Sequence, residues 1–221
     1  MTTKVKICGL KTEPALDAAL AGGADFVGFN FFPPSPRSLA PDVARDLTAR
    51  ARGRVRTVAV LVDPDDALLR RVVSAVEPDL IQLHGQESPE RVAEIARQFG
   101  RPMIKALSVT AAADAGRAEA YRGVTEFVLF DAKAPPASAI PGGNGLTFDW
   151  QLLDGVRGRI DYMLSGGLTA DNVAEAIRIA EPFAVDVSSG VETAPGVKSP
   201  DLIRRFLAAA KSAHAATSIQ S

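Results

Sequence analysis

The chain alternates short apolar, β-rich runs with amphipathic, alanine-rich segments from one end to the other. This pattern is typical of repeated βα units around a parallel sheet. Eight runs are predicted to be strands: Lys4 to Cys8, Phe26 to Phe31, Thr57 to Val62, Leu80 to Leu83, Met103 to Leu107, Phe127 to Phe130, Tyr162 to Leu164 and Ala184 to Val187. The number of units matters, because an open doubly wound sheet usually has about six strands.

Eight segments between and after these runs are predicted to be helices. They lie near Glu13 to Ala21, Pro41 to Arg50, Asp65 to Ala75, Pro89 to Gln98, Ala111 to Ala120, Asp149 to Leu153, Asp171 to Ile179 and Pro200 to Ser212. Thr12, Ser88 and Ser199 each precede a helix that has a proline in its first turn. We therefore predict that these three side chains cap their helices.

Eight strands, each followed by a helix, predict a closed (β/α)₈ TIM barrel of the α/β class. A dinucleotide-binding fold is disfavoured, because no G-x-G-x-x-G follows the first strand. We assign residues 1–213 to one barrel domain. The tail from His214 to Ser221 has neither a cap nor an apolar stripe, and we expect it to fray.

Composition and charge limit the classes of binding partner and the cellular compartment that we expect for the chain. The 221 residues have a formal net charge of -1, and both signs are interspersed, so we expect no nucleic-acid or anionic-membrane partner. The single cysteine excludes an internal disulfide and fits a reducing compartment. No run approaches the roughly 18 apolar residues of a membrane span. We expect a cytoplasmic monomer or homodimer that binds a small molecule.

The strand ends carry few polar residues, although barrels of this type place their catalytic groups there. The polar residues are Cys8, Arg37, Gln82, His84, Lys105, Asp131, Asp186, Ser188 and Ser189. Glycines also follow the seventh and eighth strands, at Gly166, Gly167 and Gly190. Because glycine lets backbone N–H groups approach an anion, and because these two loops form the usual barrel phosphate site, we predict a phosphate-ester substrate.

Three of these side chains have more than one interpretation. Cys8 is either a small buried hydrophobe or a reactive thiol. Arg37 either holds a carboxylate or a second phosphate, or is one surface arginine among many. Asp131 ends an apolar run, where a carboxyl group is paired, acts as an acid or caps a loop. Strand alternation places Lys6 on the same face as Cys8, and an inward Lys6 needs a partner, for which we predict Asp186.

Seven groups of short segments, each occurring once, stand in a definite order along the chain. They are Lys6-Ile7-Cys8-Gly9-Leu10, Ser35-Pro36-Arg37, Gln82-Leu83-His84-Gly85, Phe130-Asp131, Gly142-Gly143-Asn144-Gly145 with Phe148-Asp149-Trp150, Ser165-Gly166-Gly167-Leu168 and Asp186-Val187-Ser188-Ser189-Gly190-Val191-Glu192. Together they resemble the phosphoribosylanthranilate isomerase family of tryptophan biosynthesis, over nearly the whole chain. One departure is Asn144, where the family more often has a hydroxyl residue, in a segment expected to form a lid.

The resemblance implies an Amadori rearrangement of N-(5-phosphoribosyl)anthranilate to 1-(2-carboxyphenylamino)-1-deoxyribulose 5-phosphate, with no metal or organic cofactor. It implies that Cys8 is the general base at C2 and Asp131 the general acid at the ribose ring oxygen. Arg37 is expected to bind the anthranilate carboxylate. Gly166, Gly167, Ser189 and Gly190 are expected to hold the phosphate, with Asp186 and Ser188 as further substrate-binding residues. His84 either lines the pocket or is a structural, hydrogen-bonded histidine.

Three other functions remain open at this point. An isomerase of a histidine-pathway phosphoribosyl intermediate also needs an acid, a base and phosphate sites. Proteins of that kind are expected to carry two aspartates, whereas here the first strand ends in Cys8. A Schiff-base aldolase would use Lys105 on the fifth strand. A non-catalytic phosphate-binding barrel would keep Cys8 in its core and use Asp131 as a cap.

Overall fold

The computed structural model describes residues 2–135, 138 and 140–213, so the predicted tail from His214 onward lies outside the described residues. Eight parallel strands form a closed barrel in chain order: β1 (Lys4–Cys8), β2 (Phe26–Asn30), β3 (Arg56–Leu61), β4 (Leu80–Leu83), β5 (Met103–Val109), β6 (Phe127–Ala132), β7 (Tyr162–Leu164) and β8 (Ala184–Val187). Pairing of β1 with both β2 and β8 closes the barrel. The predicted TIM barrel is confirmed, and every strand bound lies within two residues of its prediction.

The part of the chain that the structure describes has seven α-helices: α1 (Glu13–Ala21), α2 (Pro41–Ala51), α3 (Asp66–Val76), α4 (Pro89–Phe99), α5 (Ala112–Gly116), α6 (Val173–Ala180) and α7 (Pro200–Ser212). Between β6 and β7, the predicted helix is only a 3₁₀ turn, Trp150–Leu153. The prediction of one continuous helix after β5 was also wrong. There α5 ends at Gly116 and a 3₁₀ helix follows, because glycine is poorly tolerated inside an α-helix.

Two of the three predicted helix caps are confirmed. Ser88 and Ser199 each accept a hydrogen bond from the third helical N–H of α4 and α7, at 3.3 Å in both cases. The prediction for Thr12 was wrong, because its side chain makes no capping hydrogen bond to α1. Pro14 is the second residue of α1 and has no N–H, which removes one of the two donors that a cap ordinarily uses.

Two further local features differ from the prediction. The helix α6 begins two residues later than expected, because the Asn172 side chain accepts the N–H of Thr169 at 2.8 Å and forms a turn there. After β8, a 3₁₀ turn (Ser189–Val191) leads into a two-stranded antiparallel hairpin of β9 (Glu192–Ala194) and β10 (Val197–Lys198). This hairpin lies above the C-terminal end of the barrel and contributes to the site described below.

The barrel interior is divided between apolar and polar groups along its axis. Inward-facing residues alternate along each strand, and the inner apolar cluster contains Cys8, Phe26, Val58, Val60, Leu80, Ile104, Ala106, Phe127, Leu129, Met163 and Ala184. At the N-terminal end, Phe127 stacks on Phe183 with ring centroids 4.7 Å apart and meets Phe26 edge-on at 6.1 Å. The polar groups of the interior therefore lie towards the C-terminal end of the barrel. In the described residues, no helix has the length and apolar character needed to cross a membrane.

Candidate active site

The ends of β1 and β8 lie side by side and bring a buried ion pair into the barrel. Lys6 and Asp186 are register partners, and Lys6 Nζ lies 2.8 Å from Asp186 Oδ1. The predicted pairing is therefore confirmed. Ser165 Oγ donates to the second carboxylate oxygen at 3.3 Å. Burial acts to lower the pKa of Lys6, but Asp186 and Cys8 outweigh it and raise that pKa, so the ammonium stays charged.

Cys8 ends β1 with its thiol towards the cavity at the C-terminal end of the barrel. A Cβ atom on Gly28 of β2 would lie 3.0 Å from Cys8 Sγ, so glycine at that position leaves room for the sulfur. Burial raises the pKa of the Cys8 thiol; Lys6 and Lys198 oppose this shift, while Asp186 adds to it. The protonated thiol is therefore the main form in the free protein at neutral pH.

Asp131 lies within β6 rather than after it, and its side chain points into the same cavity. Asp131 Oδ1 accepts the N–H of Ala132 at 2.9 Å, and Oδ2 lies 3.3 Å from His84 Nε2. Gln82 Nε2 lies 3.1 Å from His84 Nδ1. When the Gln82 amide donates to Nδ1, a neutral His84 carries its proton on Nε2 and presents it to Asp131.

Arg37 comes from the loop after β2 and is almost entirely buried, so its interpretation as a surface arginine was wrong. Its Nε and Nη2 atoms bind the two carboxylate oxygens of Glu192 at 2.8 and 2.9 Å. Nη2 also donates to the carbonyl oxygen of Gly143 at 3.0 Å. The side chain passes over Gly9, where φ is 78° and a Cβ atom would lie 2.9 Å from Arg37 Cδ. Glycine is required there both for the backbone conformation and for the close approach.

Glu192 lies between two cations. Lys198 Nζ is 2.7 Å from Glu192 Oε1, and it also donates to the carbonyl and hydroxyl oxygens of Ser188 at 2.8 and 3.1 Å. Burial acts to raise the pKa of Glu192, but Arg37 and Lys198 overcome it and lower that pKa. Burial lowers the pKa of Lys198, against the opposing effect of Glu192. A connected row of charged groups thus joins Arg37 to the end of β8.

The loops after β7 and β8 pack against each other through glycine. Gly166 and Gly167 have φ values of 95° and 58°, in the left-handed region that favours glycine. A Cβ atom on Gly190 would collide with the carbonyl oxygen of Leu168, so the absence of a side chain at Gly190 lets the two loops pack closely, and Gly190 does not itself line the cavity. The cavity wall itself is formed here by Ser165, Gly166, Gly167, Leu168, Asp186, Ser188 and Ser189.

Residues 140–146, which follow β6, line the cavity and lie close to its polar groups. A Cβ atom on Gly142 would lie 2.6 Å from Asp131 Oδ2, and one on Gly143 would collide with the Arg37 guanidinium. Glycine at both positions therefore lets this segment lie close to Asp131 and Arg37 without displacing either side chain. Asn144 binds neighbours within the same loop, including Ser138 at 3.0 Å.

These groups surround one cavity with two connected halves. Both halves share Asp131, Gly143, Ser165, Asp186 and Ser188. One half continues along the glycine-bearing loops after β7 and β8. The other half extends past Cys8 and His84 to Arg37. The cavity thus has a glycine-lined recess at one end and a guanidinium at the other.

Lys105, the residue that an aldolase would use, does not line this cavity. Lys105 faces the helix layer, because Ile104 and Ala106 on either side of it face the barrel interior. Its Nζ lies 2.7 Å from Glu87 Oε2 and 2.7 Å from the Gly85 carbonyl oxygen, so it does not offer a free amine to a substrate. Among residues 2–135, 138 and 140–213, no three His, Cys, Asp or Glu side chains are grouped as metal ligands.

A closed βα barrel with a buried thiol, a carboxyl–imidazole pair and an arginine around one cavity defines a class, the barrel enzymes that perform acid–base chemistry on small anionic substrates. Residues 5–209 match the family model described as N-(5'phosphoribosyl)anthranilate (PRA) isomerase. The chain belongs to this isomerase family.

Individual relatives agree with this assignment. An N-(5'-phosphoribosyl)anthranilate isomerase of Rhodopseudomonas palustris (strain BisB18) is 55% identical over 211 residues, which cover 96% of this chain and 97% of the relative. The isomerase of Rhizobium meliloti (strain 1021) is 53% identical over 215 residues, covering 97% of this chain and 100% of the relative. The crystal structure from Thermotoga maritima is 40% identical with a TM-score of 0.86, covering 96% of this chain and 100% of its own.

A further crystal structure was solved in complex with reduced 1-(o-carboxyphenylamino)-1-deoxyribulose 5-phosphate. That isomerase is 37% identical with a TM-score of 0.83, over 96% of this chain and 100% of its own. By contrast, a 3-hexulose-6-phosphate synthase with 17% identity and a TM-score of 0.64 shares the fold alone.

The structure brings most of the predicted site residues to one cavity and adds others. Those that line it are Cys8, Arg37, His84, Asp131, Gly166, Gly167, Asp186, Ser188 and Ser189, whereas Gly190 lies behind it. Sequence reasoning gave no specific contact to Gln82, Gly142, Gly143 or Glu192, although all four lie in the family-like segments. Lys198 was missed outright, because nothing in its neighbourhood distinguishes it from a surface lysine.

Proposed function

We propose that the protein catalyses the Amadori rearrangement of N-(5-phosphoribosyl)anthranilate to 1-(2-carboxyphenylamino)-1-deoxyribulose 5-phosphate, a step of tryptophan biosynthesis. The observation that carries this proposal is that Cys8 and Asp131, on the non-adjacent strands β1 and β6, face one cavity. This cavity lies between a glycine-lined recess and the Arg37 guanidinium. The substrate has the matching polarity, with a phosphate at one end and an aromatic carboxylate at the other.

The acid step uses Asp131. Its carboxyl group donates a proton to the ribose ring oxygen, the C1–O bond breaks, and the lone pair of the anilino nitrogen forms a C=N bond to C1. His84, 3.3 Å from Asp131 Oδ2, orients the carboxyl group and keeps a proton donor beside it. The lid glycine Gly142 lies against Asp131 and keeps water away from the acid.

The base step uses Cys8. The thiolate removes the C2 proton, and the electron pair forms a C1–C2 double bond as the charge on nitrogen is neutralised. The resulting enol becomes the ketone when C1 gains a proton and the C2 hydroxyl loses one. The reaction moves protons and electrons within one molecule, so it requires no oxidant, reductant or cofactor. The Lys6 ammonium next to Cys8 stabilises the thiolate when it forms.

Binding is divided between the two ends of the cavity. The phosphate binds to the backbone at Gly166, Gly167 and Ser189, with Gly190 supporting that loop from behind. The anthranilate carboxylate binds to Arg37. Between the two, Asp186 and Ser188 contact the sugar hydroxyl groups.

The unit of function in this proposal is residues 1–213, taken as one catalytic domain that acts in the cytoplasm as a monomer or homodimer. Its only proposed partner is the small-molecule substrate. A T. maritima relative is described as a dimeric isomerase from which monomers were generated. Sedimentation equilibrium across a range of protein concentrations distinguishes the two assemblies.

The direct test is to add purified protein to N-(5-phosphoribosyl)anthranilate and follow the decay of the substrate fluorescence. We expect decay whose rate is proportional to protein concentration and at least about 10²-fold slower with an Asp131→Asn control prepared in parallel. Borohydride reduction in the presence of a phosphorylated ketose provides the opposing test, and it should attach no label to Lys105. Absent turnover, or a labelled Lys105, contradicts the proposal.

A further inference from the structure

The Arg37 guanidinium is held along one edge before any substrate binds. Nε and Nη2 form the two parallel hydrogen bonds to Glu192, at 2.8 and 2.9 Å. Both side chains are more than nine-tenths buried. A bidentate pair of this kind fixes the plane of the guanidinium. It leaves Nη1, which makes no hydrogen bond in the described residues, at the cavity beneath Gly143.

The pairing of Arg37 with Glu192 neutralises the positive charge of the guanidinium. One carboxylate bound to one guanidinium gives a neutral pair, and a neutral pair has little attraction for the carboxylate of a substrate. Glu192 therefore fixes the orientation of Arg37 but cancels the charge that would recognise the ligand.

Lys198 supplies the missing charge. Its Nζ lies 2.7 Å from Glu192 Oε1, on a side chain that is 2% exposed. Its other hydrogen bonds, to the carbonyl and hydroxyl oxygens of Ser188, use the remaining ammonium donors. Glu192 and Lys198 are register partners in the β9–β10 hairpin, so this hairpin brings the two charges together. The three groups together have a net charge of about +1 in a buried site.

We propose that Glu192 and Lys198, here called the Glu192–Lys198 clasp, make this enzyme selective for substrates whose aromatic amine carries a carboxylate. Glu192 is a positioning residue that aims Arg37, and Lys198 keeps the cluster positive so that one anion neutralises it. The inference rests on the proposed function, because it assigns the selectivity of the same site. The hairpin that carries the clasp is thereby a specificity element added to the barrel.

The test compares two substrates that differ only in the carboxylate, N-(5-phosphoribosyl)anthranilate and N-(5-phosphoribosyl)aniline, with product formation followed by proton NMR. The measured quantity is the ratio of their kcat/KM values. In Lys198→Met this ratio should fall by at least about tenfold, mainly through a higher KM for the carboxylated substrate. A merely structural role would lower kcat/KM for both substrates equally and leave the ratio unchanged.

Two further variants make the test specific to charge. Lys4→Met removes one positive charge at the opposite end of the barrel, where the side chain is 48% exposed, and should leave the ratio unchanged. Glu192→Gln/Lys198→Met restores the net charge around Arg37 and should recover part of the lost ratio. If Lys198→Met does not fold by circular dichroism, Lys198→Gln replaces it, because its amide can still donate to Ser188.

Each outcome has a distinct meaning. A wild-type ratio in the Lys198 variant, or a double variant that loses as much selectivity as the single one, overturns the clasp. Failure of the wild-type protein to turn over N-(5-phosphoribosyl)anthranilate is a different result. It overturns the proposed function, and the clasp with it.

Discussion

At the N-terminal end of the barrel the interior is filled by aromatic rings, whereas at the C-terminal end it holds charged groups. Phe26, Phe127 and Phe183 pack together at the former. The ion pairs at that end, such as Lys4 with Asp25, lie at the solvent-exposed rim and contribute little to stability.

The C-terminal end has the opposite arrangement. The Lys6–Asp186 pair is buried, as are the charges of the Arg37, Glu192 and Lys198 cluster. Burying such groups costs free energy, and ion pairing only offsets that cost. The comparison teaches that this barrel gains stability at one end, where apolar area is buried, and places its costly groups at the other, where they can act on a ligand.

The largest expected effect is on turnover, at the C-terminal end. Replacing Cys8→Ala or Asp131→Asn should each lower kcat by about 10²- to 10⁴-fold, because each variant lacks the proposed general base or the proposed general acid. The circular dichroism spectrum and the binding of a phosphate analogue should stay close to those of the wild type. Wild-type-like rates in either variant would remove that residue from the mechanism.

The next effect is on stability and separates two lysines on the same strand. Lys6→Met leaves Asp186 buried without its partner and should lower the free energy of unfolding by about 3 to 5 kcal/mol. Lys4→Met breaks a rim pair and should change it by less than about 1 kcal/mol. Urea unfolding of both variants measures the difference. Equal losses in the free energy of unfolding would show that burial of the Lys6–Asp186 pair does not make it more important for stability than the exposed Lys4–Asp25 pair.

A third prediction concerns the aromatic end. Phe127→Ala removes a ring that stacks on Phe183 and meets Phe26 edge-on, and it should lower the free energy of unfolding by about 3 kcal/mol. The remaining folded protein should keep a near-wild-type kcat/KM, since Phe127 lies at the opposite end from the cavity. Thermal unfolding and the fluorescence assay, run on the same sample, provide the check. A large loss of kcat/KM with unchanged stability would reverse the assignment of the two ends.

The smallest effect is the pH dependence of the Cys8 thiol. Burial raises its pKa from an ordinary value of 9.0, so the thiolate fraction should grow about tenfold per pH unit between about pH 7 and 9. Because Cys8 is the only cysteine in the chain, its alkylation by iodoacetamide can be followed by mass spectrometry without interference. A rate that levels off below about pH 8 would mean that Lys6 and Lys198 outweigh burial.

Much of the barrel could be predicted because its signals are local. Alternation within a strand showed that Lys6 and Cys8 share a face, and chain order made β8 the neighbour of β1, which led to the Lys6–Asp186 pair. Errors arose where a local signal was weak, as at Gly116 in α5, or where the geometry of one cap mattered, as at Thr12. The glycines after β7 and β8 led to the prediction of a phosphate site there, because glycine lets backbone N–H groups approach an anion, and this assignment stays a prediction.

The sequence by itself determined the strands, their order and the polar residues at their ends, because periodicity and spacing depend on near neighbours. Apart from the Lys6–Asp186 pair, which strand order and alternation predicted, the tertiary structure decided which distant groups meet. Arg37 and Glu192 are 155 residues apart in the sequence. Lys198 is brought to Glu192 by the short β9–β10 hairpin, which the sequence pattern did not predict. These partners are far apart in sequence, so no local pattern links them, and their burial in the folded barrel makes each of them necessary to the others.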